Sequence, residues 1–143
     1  MTQSQSQEYG AFLLRISLGT LAIAHGLLKV LVFTVPGTVQ FFASIGYPPI
    51  VAYLTIFAEL AGGTALLLGI YTRTVALAMI PVLIGATLTH AGNGWVFSSA
   101  SGGWEFPAFW TVMLLVQALL GSGKFAFPIP KALQFNFIKF ASA

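Results

Sequence analysis

Four apolar runs divide the chain, separated by polar stretches or by stretches marked with glycine and proline. They cover approximately residues 10–33, 50–70, 74–90 and 105–120. At 1.5 Å per residue, about 20 helical residues cross the roughly 30 Å hydrocarbon layer of a bilayer. None of the runs alternates apolar and polar positions as a barrel strand must, so the pattern predicts helices. Residues 1–9 read as a short polar arm. Residues 34–49 read as a connection with turns, started by Pro36 and Gly37 and finished by Gly46-Tyr47-Pro48-Pro49. Tyr71-Thr72-Arg73 is expected to be a tight polar turn, and residues 91–104 a loop rich in Gly, Ser and Trp. Pro81 falls inside the third run, where a membrane helix accepts it as a kink.

Short connections make neighbouring helices antiparallel. The expected fold is therefore all-α, an integral membrane antiparallel four-helix bundle forming one domain over residues 1–143. Residues 127–143 differ from the rest. Pro128 and Pro130 break a helix there, and Leu133, Phe135, Phe137, Ile138 and Phe140 are mixed with Lys131 and Lys139. That mixture predicts an interfacial tail lying on the membrane.

Composition supports a lipid environment. The chain has 143 residues, 57% hydrophobic and 6% charged, against about 25% charged residues in soluble domains. The net charge of +3 is small and dispersed, which gives no reason to expect a nucleic-acid partner and suits a role in topology. There is no cysteine, so disulfides, thiolate metal sites, thiol redox chemistry and c-type haem attachment are ruled out. The first residues lack a basic region followed by a cleavage site, and no removable signal peptide is expected.

Charge also orients the bundle. Alternating helices place Arg15, Arg73, Lys124, Lys131 and Lys139 on one side and Lys29 alone on the other. The positive-inside rule then puts both termini in the cytoplasm. Trp95, Trp104 and Trp110 fit an interfacial aromatic belt. Arg15 and Arg73 read as topology determinants able to snorkel to headgroups, with Arg73 also placed to bond carbonyls where the second helix ends.

With this orientation, five polar residues on four helices fall in the outer half: His25, Lys29, Glu59, His90 and Glu105. Glu59 stands out, because a carboxylate inside an apolar helix costs about 2.5–3.5 kcal/mol on insertion scales. At 100° per residue, Arg15, Gly19, Ala22, His25, Gly26 and Lys29 share one stripe of the first helix. Thr55, Glu59, Gly62 and Gly63 share another on the second. Small residues on these stripes allow close helix approach. The expected site is an outward-facing polar pocket in which His25 and Glu59 handle protons, and His25, Lys29, Glu59, His90 and Glu105 contact a ligand.

The ordered set Arg15-x-x-x-Gly19, His25-Gly26-x-x-Lys29, Gly46-x-Pro48, Glu59-x-x-Gly62-Gly63, Gly69-x-x-Thr72-Arg73, His90 and Gly102-Gly103-x-Glu105 resembles the DoxX family of small four-helix bacterial membrane proteins. The resemblance covers roughly residues 12–123. The family's Ser-Leu-Asp end motif is missing: Gly121-Ser122-Gly123-Lys124-Phe125 keeps the glycines without a following aspartate. The resemblance implies the bacterial inner membrane and a link to quinone-dependent oxidoreductases such as thiosulfate:quinone oxidoreductase. It carries over no settled catalytic residues.

Several readings stay open. In one, the chain is a redox subunit that binds a quinone headgroup or small anion, next to a membrane or periplasmic partner that supplies electrons, since no metal, flavin or nucleotide motif is present. In a second, it is a non-catalytic anchor that recruits a redox partner. In a third, it carries protons or small solutes, which four helices accommodate best in a homo-oligomer. Haem b held by His25 and His90 fits less well, because the two histidines differ in depth and Lys29 crowds one of them. Structural roles compete with each of these: Glu59 locking helix packing against Lys29 or His25, and His90 with Glu105 anchoring the outer loop.

Overall fold

A computed structural model describes residues 2–128, and every regular element among them is helical. Helix α1 spans Gln3–Val32, α2 Val35–Ser44, α3 Pro49–Leu68, α4 Thr72–His90 and α5 Glu105–Leu120. A short 3-10 turn, Ala91–Asn93, extends α4. Three helices, Gln3–Val32, Pro49–Leu68 and Thr72–Asn93, are long and apolar enough to cross a membrane, whereas α5 is a shorter apolar helix of 16 residues. The expected tail at 127–143 lies almost wholly outside the described residues.

Two expected connections turn out to be helical. Residues 3–9 of the expected polar arm are the first part of α1. Thr2 caps it by accepting from the Gln5 amide at 3.2 Å, while the Gln5 side chain accepts from the Thr2 amide at 2.9 Å. This reciprocal capping box satisfies two amides that have no partner within the helix. In the connection at 34–49, Pro36 helps to open α2. Thr34 is its N-cap, accepting from Gly37 N at 3.3 Å. A proline in the first turn loses no helical hydrogen bond, so it can begin a helix as well as end one.

The turn between α3 and α4 falls at Gly69–Tyr71, two residues earlier than expected. Gly69 takes φ +73°, its amide bonds Leu66 O at 3.0 Å, and Ile70 N bonds Ala65 O at 2.9 Å. This is a Schellman closure, and its left-handed position favours glycine. Helix α4 continues through Pro81.

The core lies where the inward stripes meet. It contains Leu18 and Ala22 of α1, Leu66 of α3, Ala76, Met79 and Leu83 of α4, and Trp110, Leu114 and Ala118 of α5. Glycines bring α1 and α3 together: a Cβ on Gly19 would lie 2.8 Å from Gly63 O, and one on Gly63 would lie 2.9 Å from Gly19 O. Such contact requires the smallest residue on both helices. Outward faces carry Leu13, Leu31, Phe57, Leu88, Phe109 and Leu119, all well exposed. That apolar exterior matches a lipid solvent.

Candidate functional site

Both helices of the α1–α3 pair change their winding at one level. In α1 the α-helix gives way to a π-helical turn at Leu28–Val32, with Phe33 N bonded to Leu28 O at 3.0 Å. In α3 a π-helical turn at Ala58–Gly62 interrupts the α-helix. Such turns occur mostly as single insertions, often at functional sites. The first holds Lys29 and the second holds Glu59.

The two side chains meet. Lys29 Nζ donates to Glu59 Oε1 at 2.7 Å. Glu59 is only 6% exposed, so it faces the bundle interior and not lipid. Gly26 makes room for this contact. A Cβ there would lie 2.7 Å from Leu60 Cδ2 and 3.3 Å from Glu59 Cβ. Helix α2 supports the lysine from above: buried Thr38 donates through Oγ1 to Lys29 O at 3.0 Å. The second carboxylate oxygen, Glu59 Oε2, is buried and has no hydrogen-bond partner among the described residues.

An ion pair in low dielectric is stable when the remaining lone pairs also find partners. Here one oxygen neutralises the ammonium and the other remains available. A carboxylate in this state can accept a hydrogen bond from a ligand hydroxyl, or take up a proton.

His25 lies one turn before Lys29 on the same face of α1. Its ring packs against Trp110 at 5.2 Å between centroids and stacks on Phe106 at 6.2 Å. The imidazole thus belongs to the α1–α5 contact, while Lys29 and Glu59 belong to the α1–α3 contact. Trp110 is buried in the core, not placed in an interfacial belt, and its indole Nε1 has no partner among the described residues.

Residues 10–92 match the DoxX family model. The chain belongs to the DoxX family. A protein of Bacillus subtilis (strain 168) named "Putative oxidoreductase CatD" is 41% identical over 86 residues, covering 60% of this chain and 63% of that protein. The match therefore spans less than two thirds of the relative. No solved structure gives a significant match.

The DoxX-matched segment holds Arg15, His25, Lys29, Glu59, Arg73 and His90, whereas Glu105 lies beyond it. In this DoxX protein His90 and Glu105 both bond the loop at residues 94–104. His90 Nδ1 lies 3.0 Å from Ser101 O and 3.1 Å from Gly102 O, and Asn93 Nδ2 donates to the same two carbonyls. Glu105 Oε1 accepts from Phe97 N at 3.0 Å. Trp95 and Trp104 meet edge to face at 4.6 Å beside them. Among the described residues, none of these bonds reaches the Lys29–Glu59 pair. No group of three or more His, Cys, Asp or Glu side chains there could hold a metal ion.

The arginines also differ from expectation. Arg15 does not snorkel; it is fully buried. Its Nη1 donates to Leu66 O at 2.9 Å and Leu67 O at 2.8 Å, and its Nη2 donates to Lys124 O at 2.9 Å. Arg15, and not Arg73, therefore serves the carbonyls where α3 ends. Arg73 does the same for α5, donating to Ala118 O and Leu119 O at 2.8 and 2.9 Å. Positive groups at helix C-termini satisfy orphan carbonyls and oppose the negative dipole end. Thr38 is not marked by the sequence as a partner of Lys29; its local signal is the Thr34-Val35-Pro36-Gly37 start of α2.

Proposed function

We propose that this DoxX protein is a subunit of a quinone-linked oxidoreductase system in the bacterial inner membrane, with both termini in the cytoplasm. Lys29 and Glu59 hold the headgroup of a quinone, or a small anion, in the outer half of the bundle, with His25 one turn away on the same face of α1. Lys29 donates to a carbonyl or anionic oxygen. Glu59 Oε2 would relay one of the two protons that the headgroup takes up from water when two electrons from the partner reduce it to a quinol. Electrons come from a membrane or periplasmic partner, and the quinone supplies the redox chemistry when bound.

One observation carries this reading: a buried, ion-paired glutamate with one oxygen unpartnered, set on paired π-helical turns. Ionisable residues at membrane depth are costly, and function is the default explanation for keeping them. The name of the Bacillus subtilis relative agrees with the oxidoreductase class.

The test is thermal unfolding of the purified protein in detergent, with and without a short-chain quinone. Binding to the folded state raises the Tm, by an amount that grows with the logarithm of free ligand concentration above the Kd. The expected result is a quinone-dependent rise in the wild type that is lost in Glu59→Gln. No rise in either protein would reject the quinone site.

A further inference from the structure

We infer that the bundle binds a buried water molecule between Arg15, Thr72 and Gln117, at the end opposite the Lys29–Glu59 pair. Fourteen residues of α1 separate Arg15 from Lys29, about 21 Å along the helix. The site is therefore independent of the proposed quinone site.

Three helices each continue their apolar inward stripe with one polar residue at this end. On α1, Arg15 comes three residues before Leu18; on α4, Thr72 comes four before Ala76; on α5, Gln117 comes three after Leu114. Spacings of three and four keep each residue on the core-facing side. All three are essentially inaccessible, at 0%, 1% and 0% exposure.

Hydrogen bonds of Arg15, of Gln117 and of Arg73, the residue after Thr72, run through one layer. Gln117 Nε2 donates to Ala11 O at 3.2 Å, one turn before Arg15 on α1, and to Gly121 O at 2.7 Å. Arg73, next to Thr72, bonds Ala118, next to Gln117. Arg15 itself bonds Leu66 and Leu67 near the end of α3. The layer closes the apolar core where α4 begins and α3 and α5 end, about 18 Å along α1 from its start at Gln3.

One polar atom of each side chain has no partner among the described residues: Arg15 Nε, Thr72 Oγ1 and Gln117 Oε1. A guanidinium N–H can only donate and an amide oxygen can only accept, whereas a hydroxyl does both. One water molecule matches this set by accepting from Arg15 Nε–H, donating to Gln117 Oε1 and sharing a third bond with the Thr72 hydroxyl. Buried waters make about three such bonds, commonly to groups that lack other partners. An anion matches poorly, because the Gln117 oxygen and the carbonyls of Leu66, Leu67 and Lys124 crowd the same layer. A dry layer would leave three buried polar atoms unsatisfied at once, each carrying its desolvation cost.

The sign of one substitution tests the proposal. Thr72→Val keeps the side-chain shape and removes the hydroxyl. If the hydroxyl bonds a water, the variant melts about 2–6 °C lower than wild type in detergent. An unchanged or higher Tm means the hydroxyl was unsatisfied and overturns the proposal. A density map at roughly 2 Å resolution provides the second arm. An oxygen-sized peak within about 3.2 Å of all three atoms supports it. Gln117 Oε1 bonded directly to Arg15 Nε, with no peak, overturns it.

Discussion

Lys29 and Glu59 approach to 2.7 Å from two π-helical turns that face each other across the α1–α3 contact. The pair is mostly buried, so removing one partner leaves the other charged and uncompensated. Lys29→Met and Glu59→Gln should each destabilise the protein by about 3–5 kcal/mol. The double variant should lose far less than the sum, because it leaves no lone charge behind. Unfolding in detergent for the two single variants and the double checks this, and strict additivity would mean the pair is not coupled.

Gly19 and Gly63 make a second prediction. A Cβ on either would meet the other's carbonyl oxygen inside 3 Å, and backbone cannot move aside as a flexible side chain can. Gly19→Ala or Gly63→Ala should force α1 from α3 and cost about 1–3 kcal/mol. Gly85→Ala serves as the control, because its Cβ would enter open space. It should change the melting temperature little.

His90 distinguishes a loop anchor from a ligand contact. Its ring is placed to bond the carbonyls of Ser101 and Gly102. His90→Ala should speed amide exchange in residues 94–103 and leave the quinone-dependent Tm shift intact. Loss of that shift with unchanged loop exchange would give His90 a ligand role instead.

Arg15→Lys should be poorly tolerated despite the retained charge. The guanidinium holds three carbonyls from two segments with a fixed fork, and an ammonium cannot copy that geometry. A loss of about 2–4 kcal/mol is expected, read as a lower Tm.

Much of this arrangement was legible in the sequence, for identifiable reasons. The apolar runs and the isolated Glu59 are strong signals in any lipid-facing chain, and the helical spacing of His25 and Lys29 put both on one face. Close helix contact could be read from Gly19, Gly26 and Gly63. Other features depend on tertiary structure. The π-helical turns arise where two helices exchange a side-chain pair, and local composition does not mark them. Trp110 has the composition of a belt residue, and only its position four residues before Leu114 on the core-facing side of α5 buries it. Arg15 looks like a headgroup anchor until the ends of α3 and α5 are in place around it.

The Arg15–Lys124 bond joins positions 109 residues apart, with consequences for biogenesis. When α1 enters the membrane, the chain that will supply Lys124 O has not been made. The guanidinium must stay in water, at a headgroup or with an insertion factor until α3 arrives, and its last carbonyl comes only after α5. Completing the final segment is thus the step that lets the first helix take its full depth, so a nascent chain stalled before residue 124 should remain open to quality-control proteolysis at its N-terminal end.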